Sequence, residues 1–102
     1  MTENEVWTVQ TEAELAHLLP AFIENRWHDL GKLRRLTENN GFDEIKRLGH
    51  GLQGSPGAFG FDYLVQLGRE MESASERQDL QSLQLIAEHF QMFMSNHHVT
   101  IV

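Results

Sequence analysis

Four apolar stripes at helical spacing, separated by three clear breaks, leave this chain very few ways to fold. Phe22, Ile23, Trp27, Leu30, Leu33 and Leu36 recur at intervals of three and four, which marks one face of an α-helix, and the pattern stops at Asn39-Asn40-Gly41. A second stripe of Phe42, Ile45, Leu48 and Leu52 starts near Asp43 and runs into a glycine-rich stretch until Gly60 breaks it. The third stripe is Leu64, Leu67, Met71 and Ala74, with Asp62 placed to cap its helix. The fourth is Leu80, Leu83, Ile86, Ala87, Phe90, Phe93 and Met94, from Asp79 to Asn96. Upstream, Thr11-Glu12-Ala13-Glu14 reads as a capping box for a short extra helix through Leu15, Leu18 and Leu19. Pro20 lacks an N–H, so it kinks that helix or opens a new one in its first turn. Stripes of this kind on short connections predict an all-α, antiparallel up-down four-helix bundle, one domain over residues 1–102. The two ends differ: "VWTV" and "VTIV" are β-branched and can pair as a short terminal β-ribbon.

Composition narrows the function classes. No apolar run approaches the roughly 18 residues that a spanning helix needs, so no membrane association is expected. The opening "MTENEVWTVQ" has neither the basic start nor the apolar centre of a signal peptide. With no cysteine, disulfides, thiolate nucleophiles and cysteine-based zinc sites are excluded, which fits a cytoplasmic protein. The net charge of −7 argues against nucleic acid, whose binding needs a basic stripe to release counterions. Yet Arg26, Lys32, Arg34, Arg35, Lys46 and Arg47 account for six of the 8 basic residues. Such a cluster is either a solvated helix face or a local positive patch for an acidic partner or a phosphoryl group.

Six histidines are candidates for chemistry. His17, His28 and His89 read as surface or packing residues. His97-His98 lacks a third ligand at helical spacing, so no metal site is expected there. His50 stands apart because of its neighbours in "LGHGLQGSPGAFG". If the helix continues, its face is shared by Lys46, Arg47, Gln53, Gly54 and Gly57, while Ile45, Leu48 and Leu52 point to the core. An exposed imidazole beside two cations and several missing side chains suits a nucleophile. Lys46, Arg47 and the Gln53 amide would then bind phosphoryl oxygens, with Gly54 leaving room for another protein's active site. Alternatively, the glycines mark close packing between helices and admit a neighbouring aromatic such as Phe59 or Phe90.

The segment "HGLQGSPGAFGF" resembles the phosphoacceptor signature of histidine-containing phosphotransfer (HPt) domains. That signature runs histidine, any residue, a hydrophobic residue, lysine, glycine, a run of small residues, and a later glycine opening the next helix. The histidine falls on His50, the hydrophobic position on Leu52, the lysine position on Gln53, the first glycine on Gly54 and the later one on Gly60. "LLPAFIENRWHDLGKLRRL" and "GFDEIKRLGH" are similar to small stand-alone bacterial members, so the resemblance extends from about Leu15 to the last helix.

The resemblance implies a phosphorelay intermediate rather than an enzyme. His50 would accept a phosphoryl group from the aspartate of one receiver domain and pass it to another. Response-regulator receivers and a hybrid histidine kinase are the implied partners. Gly51 and Gly57 would lie on the docking face, and the receiver would bring Mg²⁺, the chain having no cofactor of its own. The chain also lacks a nucleotide-binding loop of the G-x-x-x-x-G-K-[ST] kind. Gln53 departs from the family pattern: it can donate a hydrogen bond but brings no charge. Either Lys46 or Arg47 supplies that charge, or the chain is a receiver-binding module with little or no transfer.

Overall fold

Both ends of the chain are β-branched, and in the computed structural model, which describes residues 6–102, they pair with each other. Residues 1–5, half of the segment read for a signal peptide, lie outside the described residues. Strand β1 (Trp7–Thr11) and strand β2 (His97–Ile101) form a parallel ribbon, in register from Trp7 opposite His97 to Thr11 opposite Ile101. A two-stranded ribbon is marginal by itself. This one is anchored by Trp7, whose ring lies 5.4 Å from Tyr63 and 5.6 Å from Phe93.

The ribbon displaces the expected capping box. Thr11 is the last residue of β1, and its fully buried hydroxyl donates to the Phe59 carbonyl at 2.6 Å instead of to a helix amide. The short helix that follows, Ala13–Leu18, is a 3₁₀ helix without a side-chain cap. It leads directly into α1 (Leu19–Glu38), with Pro20 in the first turn, where its missing N–H has no intrahelical partner to lose. Leu19, expected in the short helix, opens α1 instead; it and Phe22, Leu30 and Leu33 of the stripe are buried, but Trp27 at the stripe's edge is 39% exposed.

Helix α2 (Phe42–Gly51) stops earlier than its stripe suggests. Leu52 closes it, and the chain turns before a single helical turn, α3 (Ser55–Ala58), that carries Pro56 near its start. The stretch as far as Gly60 is therefore two pieces, in keeping with the expectation that Pro56 bends or ends the helix soon after His50: glycine lowers helix stability at Gly51 and Gly54, and Pro56 is compatible only with a helix beginning. Gly60 has φ +83°, and a Cβ there would lie 2.0 Å from the Gln10 carbonyl oxygen, so only glycine lets β1 cross at that point.

Helix α4 (Asp62–Glu76) is preceded by Phe61 in the cap position, so Asp62 begins the helix rather than capping it. Helix α5 (Leu80–Asn96) does have a side-chain cap: Asp79 accepts from the Ser82 amide at 3.1 Å and the Ser82 hydroxyl at 2.6 Å. The helices enclose one core, with Leu33, Ile45, Phe61, Leu64, Leu67, Met71, Leu83, Phe90 and Phe93 almost wholly shielded from water. Each large side chain buried in this way contributes about 1.5–3 kcal/mol.

Candidate functional site

The most intimate helix contact in the molecule is between α2 and α4, and two glycines permit it. A Cβ at Gly49 would lie 2.6 Å from the Gly68 carbonyl oxygen, and one at Gly68 would lie 2.5 Å from that of Gly49. Both distances are far inside van der Waals contact, so the two backbones touch where neither has a side chain. Along this seam Lys46 meets Glu76 and His50 meets Glu72. Positions thus rise along one helix as they fall along the other.

His50 sits in the last turn of α2, and its side chain is 80% exposed, as its offset from the core stripe predicts. Its Nδ1 lies 3.6 Å from Oε1 of Glu72, which is itself three-quarters covered. That separation is within ion-pair reach but longer than a hydrogen bond. The carboxylate faces one ring nitrogen and leaves Nε2 toward solvent, which favours the neutral tautomer with its proton on Nδ1 and its lone pair on Nε2.

Gln53 is not on a continuing helical face with His50, because α2 ends at Gly51. Its Nε2 donates to the Gly49 carbonyl at 3.2 Å and to the same Glu72 oxygen that faces His50. Both amide protons are therefore engaged within the protein, and the side chain is half-buried. Lys46, one turn before His50, pairs with Glu76 at 3.1 Å, with both side chains about half exposed. Arg47 faces the other flank of α2. There it lines a cleft of about 420 Å³ with Arg26, Asp29, Lys32, Glu44, Leu48 and Gly51.

Three cations and two carboxylates thus share that cleft. Arg26 lies with its guanidinium carbon 4.8 Å from the Phe22 ring centroid and its Nε 2.8 Å from Asp29. Burial pushes the Asp29 carboxyl above its ordinary range, against the opposing pull of Arg26. The glycines after His50 differ from the seam pair. A Cβ at Gly51 would meet nothing within 4 Å, one at Gly54 only the Gly51 carbonyl oxygen at 3.7 Å, and one at Gly57 only the end of Val65 at 3.6 Å. All three are exposed.

Sequence reasoning singled out His50, Lys46 and Arg47 together with this open surface; the structure sets Lys46 on the His50 side of α2 and Arg47 on the other flank. It missed Glu72 and the Gly49–Gly68 contact. The signal for both was in the spacing: Gly68, Glu72 and Glu76 share one face of α4, and an interior helix glycine facing another glycine marks a close crossing. His97 is occupied elsewhere. Its Nδ1 lies 3.3 Å and 3.1 Å from the Phe93 and Met94 carbonyl oxygens, and its ring stacks on Phe93. Among the described residues no helix is long and apolar enough to cross a membrane.

Comparison with protein families gives a match. The family model described as Hpt domain matches residues 17–96, from the 3₁₀ helix to the end of α5 and including the whole of the His50 region. Neither a curated protein nor a solved structure matches the chain.

Proposed function

The chain belongs to the Hpt domain family, whose members carry phosphoryl groups on histidine in phosphorelays, and on that premise we propose that His50 is its phosphoacceptor. The observation that carries this reading is an exposed imidazole, backed at Nδ1 by Glu72 and bordered by glycines that leave the approach to the ring open.

The Nε2 lone pair attacks the phosphorus of an aspartyl phosphate on a receiver domain. A P–N bond forms as the P–O bond to the aspartate breaks, and the aspartate leaves as a carboxylate with the bonding pair. Nδ1 keeps its proton, so the ring becomes cationic beside the Glu72 carboxylate, which stabilises that charge as it develops. The reverse sequence delivers the phosphoryl group to the aspartate of a second receiver. Mg²⁺ is the receiver's contribution, so the chain acts as a cytoplasmic carrier between response regulators and a hybrid histidine kinase and needs no nucleotide.

Around the phosphoryl group we assign field-setting roles to Lys46 and Arg47. The Lys46–Glu76 pair is exposed enough for water and salt to screen it, so the ammonium is free to turn toward a phosphoryl oxygen. Gly51, Gly54 and Gly57 form the surface on which the receiver sits.

A second reading is supported by Gln53, which offers no ammonium and has both amide protons engaged. On that reading the chain binds receivers but transfers poorly. Incubation with a phosphorylated receiver separates the two. A carrier acquires an acid-labile, base-stable phosphate that His50→Gln abolishes. A binding module acquires none, and His50→Gln leaves its receiver affinity unchanged.

A further inference from the structure

The cleft between α1 and α2 gathers cations on a chain whose net charge is −7. Arg26 and Lys32 come from α1 and Arg47 from α2, and they line about 420 Å³ together with Asp29, Glu44, Leu48 and Gly51. We infer that this cleft binds a small, free, phosphate-bearing molecule, whose anionic group sits among Arg26, Lys32 and Arg47 and whose presence beside Gly51 obstructs a docking receiver. The binding site stands on the cleft's own geometry; only its effect on docking rests on the phosphotransfer reading.

Three features support it. Arg26 is already in place: its guanidinium carbon lies 4.8 Å from the Phe22 ring centroid, its Nε lies 2.8 Å from Asp29, and its side chain is only 16% exposed. A guanidinium held over a ring with one edge engaged offers its remaining N–H donors in a fixed fork, which matches phosphate geometry and loses little freedom on binding.

Lys32 and Arg47, by contrast, are uncommitted. Among the described residues neither makes an ion pair, although two carboxylates share the cleft. Asp29 is turned to Arg26, and Glu44 is exposed, where water and salt screen it. Two cations are thus left for an incoming anion. The third feature is scale. The cleft falls within the range of about 300–1,000 Å³ usual for small-molecule sites, and Leu48 offers apolar surface to the body of such a ligand. A concave cationic site concentrates small anions even on an acidic protein, whereas the overall negative charge repels an anionic membrane.

The test uses the intact chain and inorganic pyrophosphate as the probe. An NMR titration is expected to shift the signals of Arg26, Arg47 and Gly51. Calorimetry is expected to give a dissociation constant that rises about tenfold in Arg26→Gln and in Lys32→Gln, the loss of one charge-assisted hydrogen bond. Lys32 is exposed, so its substitution leaves the fold intact. Arg34→Gln removes the same charge from another flank of α1, where the guanidinium donates to Gln91, and should change the constant by less than about twofold. No shifts at millimolar pyrophosphate overturn the site. Equal losses in Arg34→Gln and Lys32→Gln also overturn it, because the probe then responds only to net charge.

The effect on docking is read from two phosphoryl donors to His50. A phosphorylated receiver must sit on the surface beside the cleft, whereas phosphoramidate is a small donor that requires no docking. Pyrophosphate is expected to slow labelling by the receiver several-fold in the parent chain, to slow it less in Lys32→Gln, and to leave labelling by phosphoramidate unchanged. Equal slowing of the parent and Lys32→Gln overturns the effect on docking, since the probe then acts by capturing the receiver's Mg²⁺. A chain that binds pyrophosphate as expected but that no receiver labels keeps the site and removes the carrier function.

Discussion

Two sets of glycines lie within a few residues of His50, and they have opposite surroundings. Gly49, with Gly68 across the seam, is buried so completely that a single methyl group would collide with backbone. Gly51, Gly54 and Gly57 face outward with ordinary or empty space beyond them. The first set lets the protein approach itself, which places Glu72 behind the histidine. The second leaves the surface in front of it open, which the proposed receiver docking requires. Small size at a helix position thus has two unrelated uses, and only the register between helices tells them apart.

The comparison breaks most readily at the seam. Gly68→Val adds a branched side chain where even the Cβ lies 2.5 Å from the Gly49 carbonyl oxygen, so the helices must separate. A loss of more than about 4 kcal/mol is expected, measured by urea unfolding, since this ranks with the most severe packing defects. A value near zero would show that the seam is looser than described.

Gly51→Trp tests the other side. Its stability should stay within roughly 1 kcal/mol of the parent, whereas transfer from a phosphorylated receiver should fall on the order of a hundredfold, because displacing a reacting centre by an ångström has that effect. Labelling by phosphoramidate should be nearly unchanged. Equal losses with both donors would mean that the residue acts on the histidine and not on docking.

Asp79 provides a control remote from both sets. Its carboxyl lies below the ordinary range because the Ser82 hydroxyl and amide donate to the charged form, with Arg77 adding to the effect. A depressed carboxyl contributes stability that is present above its unfolded value of about 3.9 and is lost as the pH falls through the lower folded value. Asp79→Ala should therefore lower the thermal midpoint at pH 7, and the gap to the parent should close below about pH 4. Transfer at neutral pH should be unaffected.

The smallest expected effect is a gain. Gly51→Ala places a methyl group in open space at the end of α2, and it should add about 0.5–1 kcal/mol in urea unfolding by restricting the unfolded chain. A loss of stability there would move Gly51 into the seam class.

Much of this layout was legible from local pattern. The stripes give the helices, Asn39-Asn40-Gly41 and Asp79 give their limits, and the offset of His50 from Ile45, Leu48 and Leu52 gives its exposure. What failed was whatever depends on a partner distant in sequence. Thr11 looks like a cap until Phe59 claims its hydroxyl, 48 residues away. The α2 stripe continues through Leu52 although its backbone stops helically at Gly51, because Leu52 still reaches the core from the cap position. Gln53 reads as a donor to an incoming phosphate until Glu72, 19 residues on, takes the amide. Periodicity reports which face a residue lies on, not which residue lies opposite.

The parallel ribbon adds an order of events in time. Trp7 cannot pair with His97 until the last segment of the chain has been made, and a contact spanning nearly the entire sequence is among the slowest to close. The loop after the histidine depends on that closure, since Gln10 crosses Gly60 and Thr11 holds Phe59. The loop that carries the exposed glycines is therefore held by contacts of long sequence separation, which close slowly.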